Sequence, residues 1–303
     1  MNGMIIGPAN SSREVLVIET GAHAYELIGR TKIGTFKWTG GCEYKGNGYG
    51  FPRKENSLLE IDICNRSVKE IYLNTRYRGE HHYGGVVTSD GILYQPPRNT
   101  DHILRIDLNN YETRKIYIPG GKSHYRYSSS VMLPSGDIYM IPEFGCRMLV
   151  LNTATEKVEL FGKTSDHMVF GTVVGIDGCI YGYSKEGKGI LKLDPATREA
   201  DFICQNIGNP NCYGAVVGIN GKIYGVPADG QIIWEFDVAK QTAKQLFHID
   251  ENGYAKCAGG GVSNDGTIAM MPCFGKYIYL MENDRTDSSV VGKLDNRFFN
   301  TSF

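Results

Sequence analysis

The sequence lacks the features that mark membrane and nucleic-acid-binding proteins. No stretch of the 303 residues approaches 18 uninterrupted apolar residues, so no transmembrane helix is predicted. Lysine and arginine number 32 and aspartate and glutamate 33, which leaves a net charge of −1. Nucleic-acid binding needs a basic face. We therefore expect neither a nucleic-acid partner nor a membrane surface.

Paired cysteines and phosphate-binding loops are also missing. The 8 cysteines are scattered without a CxxC pair, which favours reduced thiols and a cytoplasmic location. The first residues lack a basic stretch followed by an apolar one, so no signal peptide is predicted, although a cleaved one would leave no trace. Gly259, Gly260 and Gly261 precede a predicted strand rather than a helix, so they do not match a phosphate-binding turn.

What the sequence does have is glycine (38), tyrosine (19) and a repeat. A short apolar strand ends at a proline or serine at intervals of 44, 45, 45, 42, 43 and 45 residues. These positions are Pro8, Pro52, Pro97, Pro142, Ser184, Pro227 and Pro272. In six of the seven units an acidic residue or asparagine follows ten residues later, from Asp62 to Glu282. The chain is therefore built from seven similar units.

Each unit reads as four short strands, labelled A to D. In the third unit we predict strand A at 84–88, strand B at 92–96, strand C at 103–107 and strand D at 114–118. The A–B turns contain Asp-Gly or Asn-Gly, as at Asp177-Gly178 and Asn220-Gly221. These pairs supply the positive φ angles that two-residue hairpins need.

Four antiparallel strands in each of seven units predict an all-β, seven-bladed β-propeller. We expect residues 1–303 to form a single propeller domain. The first unit begins at strand B, so its strand A must come from elsewhere. We predict that the C-terminal tail, Phe298 to Phe303, returns to supply it and closes the ring.

The B and C strands of the third unit, Asp90 to Tyr94 and Ile103 to Asp107, resemble kelch-type repeats and, more loosely, the propeller of streptogramin lyases. Two departures from those families matter. A Tyr-Gly-x-Pro motif, as at Tyr224 to Pro227, stands where kelch units carry a glycine pair. No unit shows the Trp-Phe-Thr-Glu motif typical of streptogramin lyases. The resemblance implies the architecture, and no family site residue is carried over.

The candidate catalytic residues lie in the D-to-A connections, which are expected to share one face of a propeller. They are His81, His82, His124, Tyr125 and Arg126. They differ from unit to unit, so the repeat itself does not need them. A histidine–tyrosine pair such as His82 with Tyr125 suits acid–base chemistry, and Arg126 suits a carboxylate. The segment Arg76 to Tyr83 is the densest polar run and the predicted functional loop.

An aromatic residue precedes most predicted A strands and gives a second set of candidates. Fourteen residues before the proline or serine stand Trp38, Tyr83, Phe170 and Tyr213, and Tyr127 belongs with them because its unit is one residue longer. With His167 and Lys256 beside them, these side chains are the candidate ligand-binding residues for a planar or sugar-like molecule. One large side chain per blade that packs between neighbouring blades would produce the same aromatic pattern, so packing is the alternative explanation.

No cofactor is predicted, although His81 or His82, His124 and His167, with Cys212 or Cys257, leave a divalent metal open. No local ligand spacing supports a metal site. The leading hypothesis is a binding module that takes a small molecule, a glycan or a protein. The alternative is a lyase or hydrolase that uses the histidine, tyrosine and arginine candidates. The enzyme hypothesis requires that these side chains converge, with at least one buried and paired.

Overall fold

The computed structural model describes residues 3–121, 124–208, 210–282 and 288–293, which form 27 strands and no helix. The strands make seven antiparallel sheets in chain order. Across these residues nothing helical has the length and apolar composition needed to cross a membrane. The first sheet has three strands among the described residues, β1 (Met4–Gly7), β2 (Val15–Glu19) and β3 (Ala24–Ile28), and the other six have four each.

The next three sheets follow one another between residues 38 and 161. The second sheet comprises β4 (Trp38–Tyr44), β5 (Asn47–Pro52), β6 (Ser57–Asp62) and β7 (Ser67–Tyr72). The third comprises β8 (Val86–Val87), β9 (Ile92–Gln95), β10 (His102–Asp107) and β11 (Thr113–Tyr117). The fourth comprises β12 (Tyr127–Met132), β13 (Asp137–Pro142), β14 (Met148–Asn152) and β15 (Val158–Phe161).

The last three sheets lie between residues 173 and 293. The fifth comprises β16 (Val173–Val174), β17 (Ile180–Tyr183), β18 (Ile190–Asp194) and β19 (Glu199–Ile203). The sixth comprises β20 (Cys212–Val217), β21 (Ile223–Pro227), β22 (Ile232–Asp237) and β23 (Thr242–His248). The seventh comprises β24 (Cys257–Val262), β25 (Ile268–Pro272), β26 (Tyr277–Met281) and β27 (Ser288–Lys293).

The four predicted strands of the third unit are confirmed as β8 to β11. The predicted hairpin turns are present as well, because Gly178 and Gly221 have φ angles of +80° and +76°. In each of these two turns the glycine N–H donates to the carbonyl three residues earlier, at 3.0 Å for Gly178 and 2.9 Å for Gly221. Local turn chemistry thus sets the spacing of strands A and B.

Within each half of the chain, hydrophobic side chains fill the space between neighbouring sheets, and two core clusters illustrate this. In one, Ile92 and Ile103 of the third sheet pack with Ile138 and Leu149 of the fourth. In the other, the sixth and seventh sheets share a core that includes Val226 and Met270. One blade cannot bury both of its faces alone, so stacked blades supply the core.

The chain divides into two compact units of contacts. The early unit is built on Leu27–Asp166 with Ile6–Leu16, and the late unit begins at His167 and includes Val17–Glu26. The predicted all-β, seven-bladed β-propeller is confirmed. The predicted closure by Phe298 to Phe303 lies outside the described residues, and a single domain over 1–303 stays a prediction.

A repeated backbone hydrogen bond fixes where each strand A begins. The proline or serine that ends strand B pairs with a residue at the start of the same unit. The next residue after the proline or serine donates its backbone N–H to a carbonyl at the start of the unit. That carbonyl belongs to the residue directly before the pairing partner. The donor and acceptor residues, at 2.8 to 3.0 Å, are Arg53 and Lys37, Arg98 and His81, Glu143 and Arg126, Lys185 and Met168, Ala228 and Asn211, and Cys273 and Lys256. We call these twelve the rung residues.

The structure gives the register at the start of strand A. The residues paired with the proline or serine are Trp38, His82, Tyr127, Val169, Cys212 and Cys257. The offset is thus fifteen residues in five units and fourteen in the unit of Trp38. Tyr83, Phe170 and Tyr213 each lie one residue beyond the pairing position.

Candidate functional site

In the early unit the rung residues carry a chain of opposite charges. Arg53 Nη2 and Arg98 Nε lie 3.0 and 2.8 Å from the same oxygen of Glu80, Oε2. Arg98 also donates through Nη1 to Oε1 of Glu143. Arg126 Nη2 lies 3.0 Å from the other Glu143 oxygen. Four successive pairs therefore join residues from five connections between strands.

Burial differs sharply along this chain of charges. The Glu143 side chain is only 1% exposed, whereas that of Arg126 is 50% exposed. Glu143 Oε2 is buried and has no partner in hydrogen-bond geometry, so its pair with Arg126 is an ionic contact alone. Burial opposes ionisation of Glu80 most strongly, but Arg53 and Arg98 together hold the pKa of this carboxyl below its ordinary value. The guanidinium of Arg126 is therefore half-exposed, although the carboxylate that it faces is buried.

Two aromatic rings lie against the same cations. The Cζ atom of Arg53 is 4.3 Å from the ring centroid of Phe36 and 4.9 Å from that of Tyr83. Arg98 Cζ is 5.0 Å from the Tyr83 centroid, and Lys54 Nζ is 4.8 Å from that of Phe36. Cations over aromatic faces at these distances attract the ring electrons. We call Phe36, Arg53, Lys54, Glu80, Tyr83, Arg98, Arg126 and Glu143 the charged cluster.

The charged cluster contains four cations and two carboxylates, so it carries a positive excess. Arg53 Nε is buried and has no hydrogen-bond partner among the residues that the structure describes. A buried donor without an acceptor costs free energy. An acceptor that supplied this bond would therefore be bound favourably.

A cluster of three histidines and a tyrosine lies beside the charged cluster in the sequence. The ring centroid of Tyr77 is 4.5 Å from that of His81, 5.2 Å from that of His82 and 5.6 Å from that of His102. The Nδ1 atoms of His81 and His82 are 3.0 Å apart, and all three imidazoles are buried. The predicted loop thus places both of its histidines inside the protein.

Hydrogen-bond partners indicate how His81 and His82 are protonated. His81 Nε2 faces the carbonyl of Glu55 at 3.0 Å and must donate to it, so its Nδ1 accepts from Nδ1 of His82. His82 Nε2 lies 3.4 Å from both the hydroxyl of Thr100 and the carbonyl of His102, and the same hydroxyl donates to that carbonyl at 3.1 Å. Burial lowers the pKa of His81 to about 4 and that of His82 well below its ordinary value.

His102 connects Tyr77 to a carboxylate. Its Nδ1 lies 2.6 Å from Oδ1 of Asp101, and its Nε2 lies 2.5 Å from the hydroxyl of Tyr77. Burial lowers the pKa of His102 against the opposing effect of Asp101. Burial also raises the pKa of the Tyr77 phenol above its ordinary value. The hydrogen bond to His102 lowers the pKa of Asp101.

The predicted catalytic residues do not all come together. His81 and His82 are adjacent and paired, and Arg126 belongs to the charged cluster. His124 is exposed, with its Nδ1 2.9 Å from the carbonyl of Asn99. Tyr125 is buried in the hydrophobic core, where its hydroxyl donates to the carbonyl of Pro119 at 2.9 Å. The suggested pair of His82 with Tyr125 is replaced in this structure by contacts of the histidines with Tyr77.

The aromatic candidates of the early unit fall into two groups. Trp38 and Tyr127 are fully buried, and each donates to a backbone carbonyl, Nε1 to Ser57 at 2.8 Å and the hydroxyl to Arg147 at 2.9 Å. Both side chains are therefore blade packing. Tyr83, one residue beyond its pairing position, is half-buried and lies against two guanidinium groups.

The candidates of the late unit lie among aromatic rings. Phe170 and Tyr213 have centroids 4.9 Å apart, and Lys185 Nζ is 5.0 Å from the Tyr213 centroid. His167 meets the ring of Phe202 edge-on at 5.4 Å. Lys256 is buried, donates to the carbonyls of Asp229 and Gly253, and has a pKa lowered mainly by burial.

Sequence reasoning missed several residues of these clusters. Arg53, Arg98 and Glu143 each follow directly after a proline of the repeat, and this shared position was a readable signal. Tyr77 and Glu80 lie inside the predicted functional loop. His102 begins β10, where the other C strands begin with Ser57, Met148, Ile190, Ile232 and Tyr277.

No group of three His, Cys, Asp or Glu side chains within the described ranges could hold a metal ion. All 8 cysteines lie within these ranges, and none of them forms a disulfide bond. The residues suggested for a metal therefore have no support as a ligand set. Whether a cofactor takes part stays a prediction.

Comparison with known proteins agrees with this fold. No family model matches the chain, and no curated protein matches it in sequence. A streptogramin B lyase is similar in structure, with a TM-score of 0.70, 16% identity and coverage of 84% of this chain and 82% of the lyase. Hydrazine synthase of Kuenenia stuttgartiensis has a TM-score of 0.69 and 12% identity over 93% of each chain. Regucalcin of Agrobacterium tumefaciens, a calcium-binding protein, has a TM-score of 0.57 and 14% identity over 78% of this chain and 82% of its own.

At these identities the likeness shows the fold and not the chemistry. The predicted seven-bladed propeller architecture, with its likeness to streptogramin lyases, is confirmed. The likeness to kelch repeats is only a loose fit. The structurally similar proteins include both a lyase and a calcium-binding protein, so the fold is compatible with either of the predicted classes of function.

Proposed function

We propose that the protein is a binding module whose charged cluster takes a small molecule with an anionic group and a flat or sugar-like ring. The observation that carries this proposal is the stacking of Arg53 and Arg98 on the ring of Tyr83, with the half-exposed Arg126 linked to Arg98 through Glu143. Guanidinium groups bind carboxylates and phosphates through paired hydrogen bonds. An aromatic ring adds affinity for a planar ligand.

Packing alone does not account for the charged cluster. The backbone hydrogen bond of the rung residues forms equally well in the late unit at Ala228 with Asn211, where both side chains are uncharged. Charge at these positions is therefore not needed to build a blade. Arg126 holds Glu143 by an ionic contact without hydrogen-bond geometry, so an incoming anion can compete for its donors.

Matched pairs of small molecules test the proposal by titration calorimetry. Glucuronate against glucose and benzoate against benzyl alcohol differ in the anionic group alone. We expect the anionic member of at least one pair to bind, and Arg126→Ala to weaken it about tenfold, since a charge-assisted hydrogen bond contributes roughly 1.5 to 3 kcal/mol. Arg114→Ala is the matched control, because Arg114 is 58% exposed and paired with Glu156.

Equal binding of the neutral and anionic members would contradict the proposal, and so would an Arg126→Ala variant that binds as the unchanged protein does. No cofactor belongs to this proposal. We propose the cytoplasm as the location, on the basis of the scattered cysteines of the sequence.

A further inference from the structure

Tyr77, His102 and Asp101 form a continuous hydrogen-bonded chain that the binding proposal does not use. The Tyr77 hydroxyl lies 2.5 Å from His102 Nε2, and His102 Nδ1 lies 2.6 Å from the Asp101 carboxylate. Asp101 can only accept when ionised, so the Nδ1 atom carries the proton. The Nε2 atom is then bare, and it accepts the hydrogen of the Tyr77 hydroxyl.

This arrangement has the order of a nucleophile, a general base and an orienting carboxylate. A hydroxyl is a weak nucleophile until a neighbouring base removes its proton in the transition state. The third group fixes the tautomer of the base and stabilises its charged form. Tyrosine is among the side chains that form covalent intermediates in this way.

We infer that Tyr77 is an activated nucleophile and that it accepts an acyl group from an ester. The phenol oxygen of Tyr77 forms a bond to the acyl carbon while its proton passes to His102 Nε2. The ester C–O bond then breaks, and the leaving alcohol takes that proton from His102. The product is an acylated Tyr77 and a free alcohol, so no oxidant, reductant or metal is needed.

The repeat does not require these side chains. His102 is the first residue of β10, and the first residues of β14, β18 and β22 are Met148, Ile190 and Ile232. A C strand therefore begins equally well with an apolar residue. Packing explains the stacking of Tyr77 on His81, but it does not explain a phenol aimed at the bare nitrogen of an imidazole.

Two tyrosines that are more exposed than Tyr77 provide an internal comparison. Tyr72 is 75% exposed and Tyr117 is 63% exposed, whereas Tyr77 is half-buried. Tyr117 also lies near His102, with ring centroids 5.8 Å apart and an edge-on geometry. If exposure alone sets reactivity, Tyr72 and Tyr117 react first. If the hydrogen-bonded chain sets it, Tyr77 reacts first.

An aryl sulfonyl fluoride at pH 7 is the probe, with site-resolved peptide mass spectrometry as the measurement on the full chain. The phenol oxygen bonds to sulfur, the S–F bond breaks, fluoride leaves and the proton goes to His102. General-base assistance contributes roughly 10² to 10⁴ in rate. We expect Tyr77 to be modified about 100-fold faster than Tyr72.

Variants separate the roles of Tyr77, His102 and Asp101. Tyr77→Phe keeps the ring stacking and should remove the modification at this position. His102→Gln should slow modification of Tyr77 about 100-fold, and Asp101→Asn should slow it about tenfold, both without changing the rate at Tyr72. Tyr117→Phe is the matched control near the same imidazole and should leave the Tyr77 rate unchanged.

The rate at Tyr77 should also fall in acid as His102 becomes protonated. The titratable groups that face His102 or Tyr77 are Asp101, His81, His82, Lys115 and Tyr117. Burial keeps the pKa of His102 below its ordinary value, so the fall lies below about pH 6.5. Faster modification of Tyr72 than of Tyr77, or a Tyr77 rate unchanged in a folded His102→Gln variant, would overturn the inference.

Discussion

The early and late units use the same backbone hydrogen bond to hold different side chains. In the early unit the bond joins Arg98 to His81 and Glu143 to Arg126, at 2.9 and 3.0 Å. In the late unit it joins Lys185 to Met168 and Ala228 to Asn211, also at 2.9 and 3.0 Å. The hydrogen-bond distances are the same in the two units, but the side chains differ in charge. The propeller backbone therefore fixes the positions of these residues and not the chemistry of their side chains.

The largest expected effect concerns a close approach of backbones in the late unit. Gly171 and Gly84 have φ angles of +60° and +62°, yet a Cβ on Gly171 would lie 2.5 Å from the Cα of Gly214, while one on Gly84 would meet nothing within 4 Å. Both alanine variants incur left-handed strain of roughly 1 kcal/mol. Gly171→Ala should lose about 3 kcal/mol more in the free energy of unfolding, measured with urea. If Gly171→Ala and Gly84→Ala lose the same free energy of unfolding, the predicted difference between the units at this position is wrong.

The next effect tests whether the early unit depends on its buried carboxylate. Glu143→Gln keeps the shape of the side chain but removes the negative charge that Arg98 and Arg126 share. Breaking a buried ion pair costs about 3 kcal/mol, and we expect a loss of that order in urea unfolding. Glu159→Gln, at a carboxylate paired with Lys157 near the surface, is the control and should cost under about 1 kcal/mol. If Glu143→Gln costs no stability, the early unit tolerates a neutral residue at position 143, as the late unit does at the equivalent Ala228. That result would contradict the predicted difference between the units.

A third effect uses pH. The folded pKa of His81 is about 4, below its unfolded value, so between pH 6.5 and 4 the unfolded chain binds more protons. Stability from His81 is therefore present above pH 6.5 and is lost as pH falls, by about 2 kcal/mol at pH 5. His81→Met introduces the residue found at the equivalent Met168 and should reduce the pH dependence, while His82 and His102, whose pKa values burial also lowers, keep part of it. A slope in His81→Met as steep as in the unchanged protein would contradict this assignment.

The smallest effect concerns the exposed end of the charged cluster. Arg126→Asn introduces the residue of the equivalent late-unit position, Asn211. The side chain is 50% exposed, so solvent screens its ion pair, and we expect a loss under about 1 kcal/mol in urea unfolding. A larger loss would show that Arg126 is a structural residue, in contrast to its proposed role in binding.

Local sequence chemistry was enough to predict the blades. Proline ended strand B and Asp-Gly or Asn-Gly closed the hairpins, because both act within a few residues of the chain. The register of strand A was harder, since irregular pairing shifts it, as between Cys212 and Ala215. In their units Tyr83, Phe170 and Tyr213 therefore stand one residue beyond the residue that pairs with the proline or serine.

The site was only partly predictable. The polar loop of His81 and His82 was evident because its residues depart from the repeat. Its partner His102 was not, because the contact depends on the packing of a D-to-A connection against the start of a C strand, and sequence spacing does not encode it. Tyr125 also departs from the repeat, but the structure places it away from the histidines. Its backbone pairs with Thr100, and this pairing directs the side chain into the core.

The rung residues have a consequence for engineering. Their hydrogen bonds use only backbone atoms, so the partly exposed side chains at these positions, such as Lys185 and Cys273, could be varied while each blade keeps its frame. A combinatorial library at Lys185 and Cys273 would place new polar groups on the late unit without redesigning a single strand. The protein would then serve as a receptor scaffold whose selectivity is chosen blade by blade.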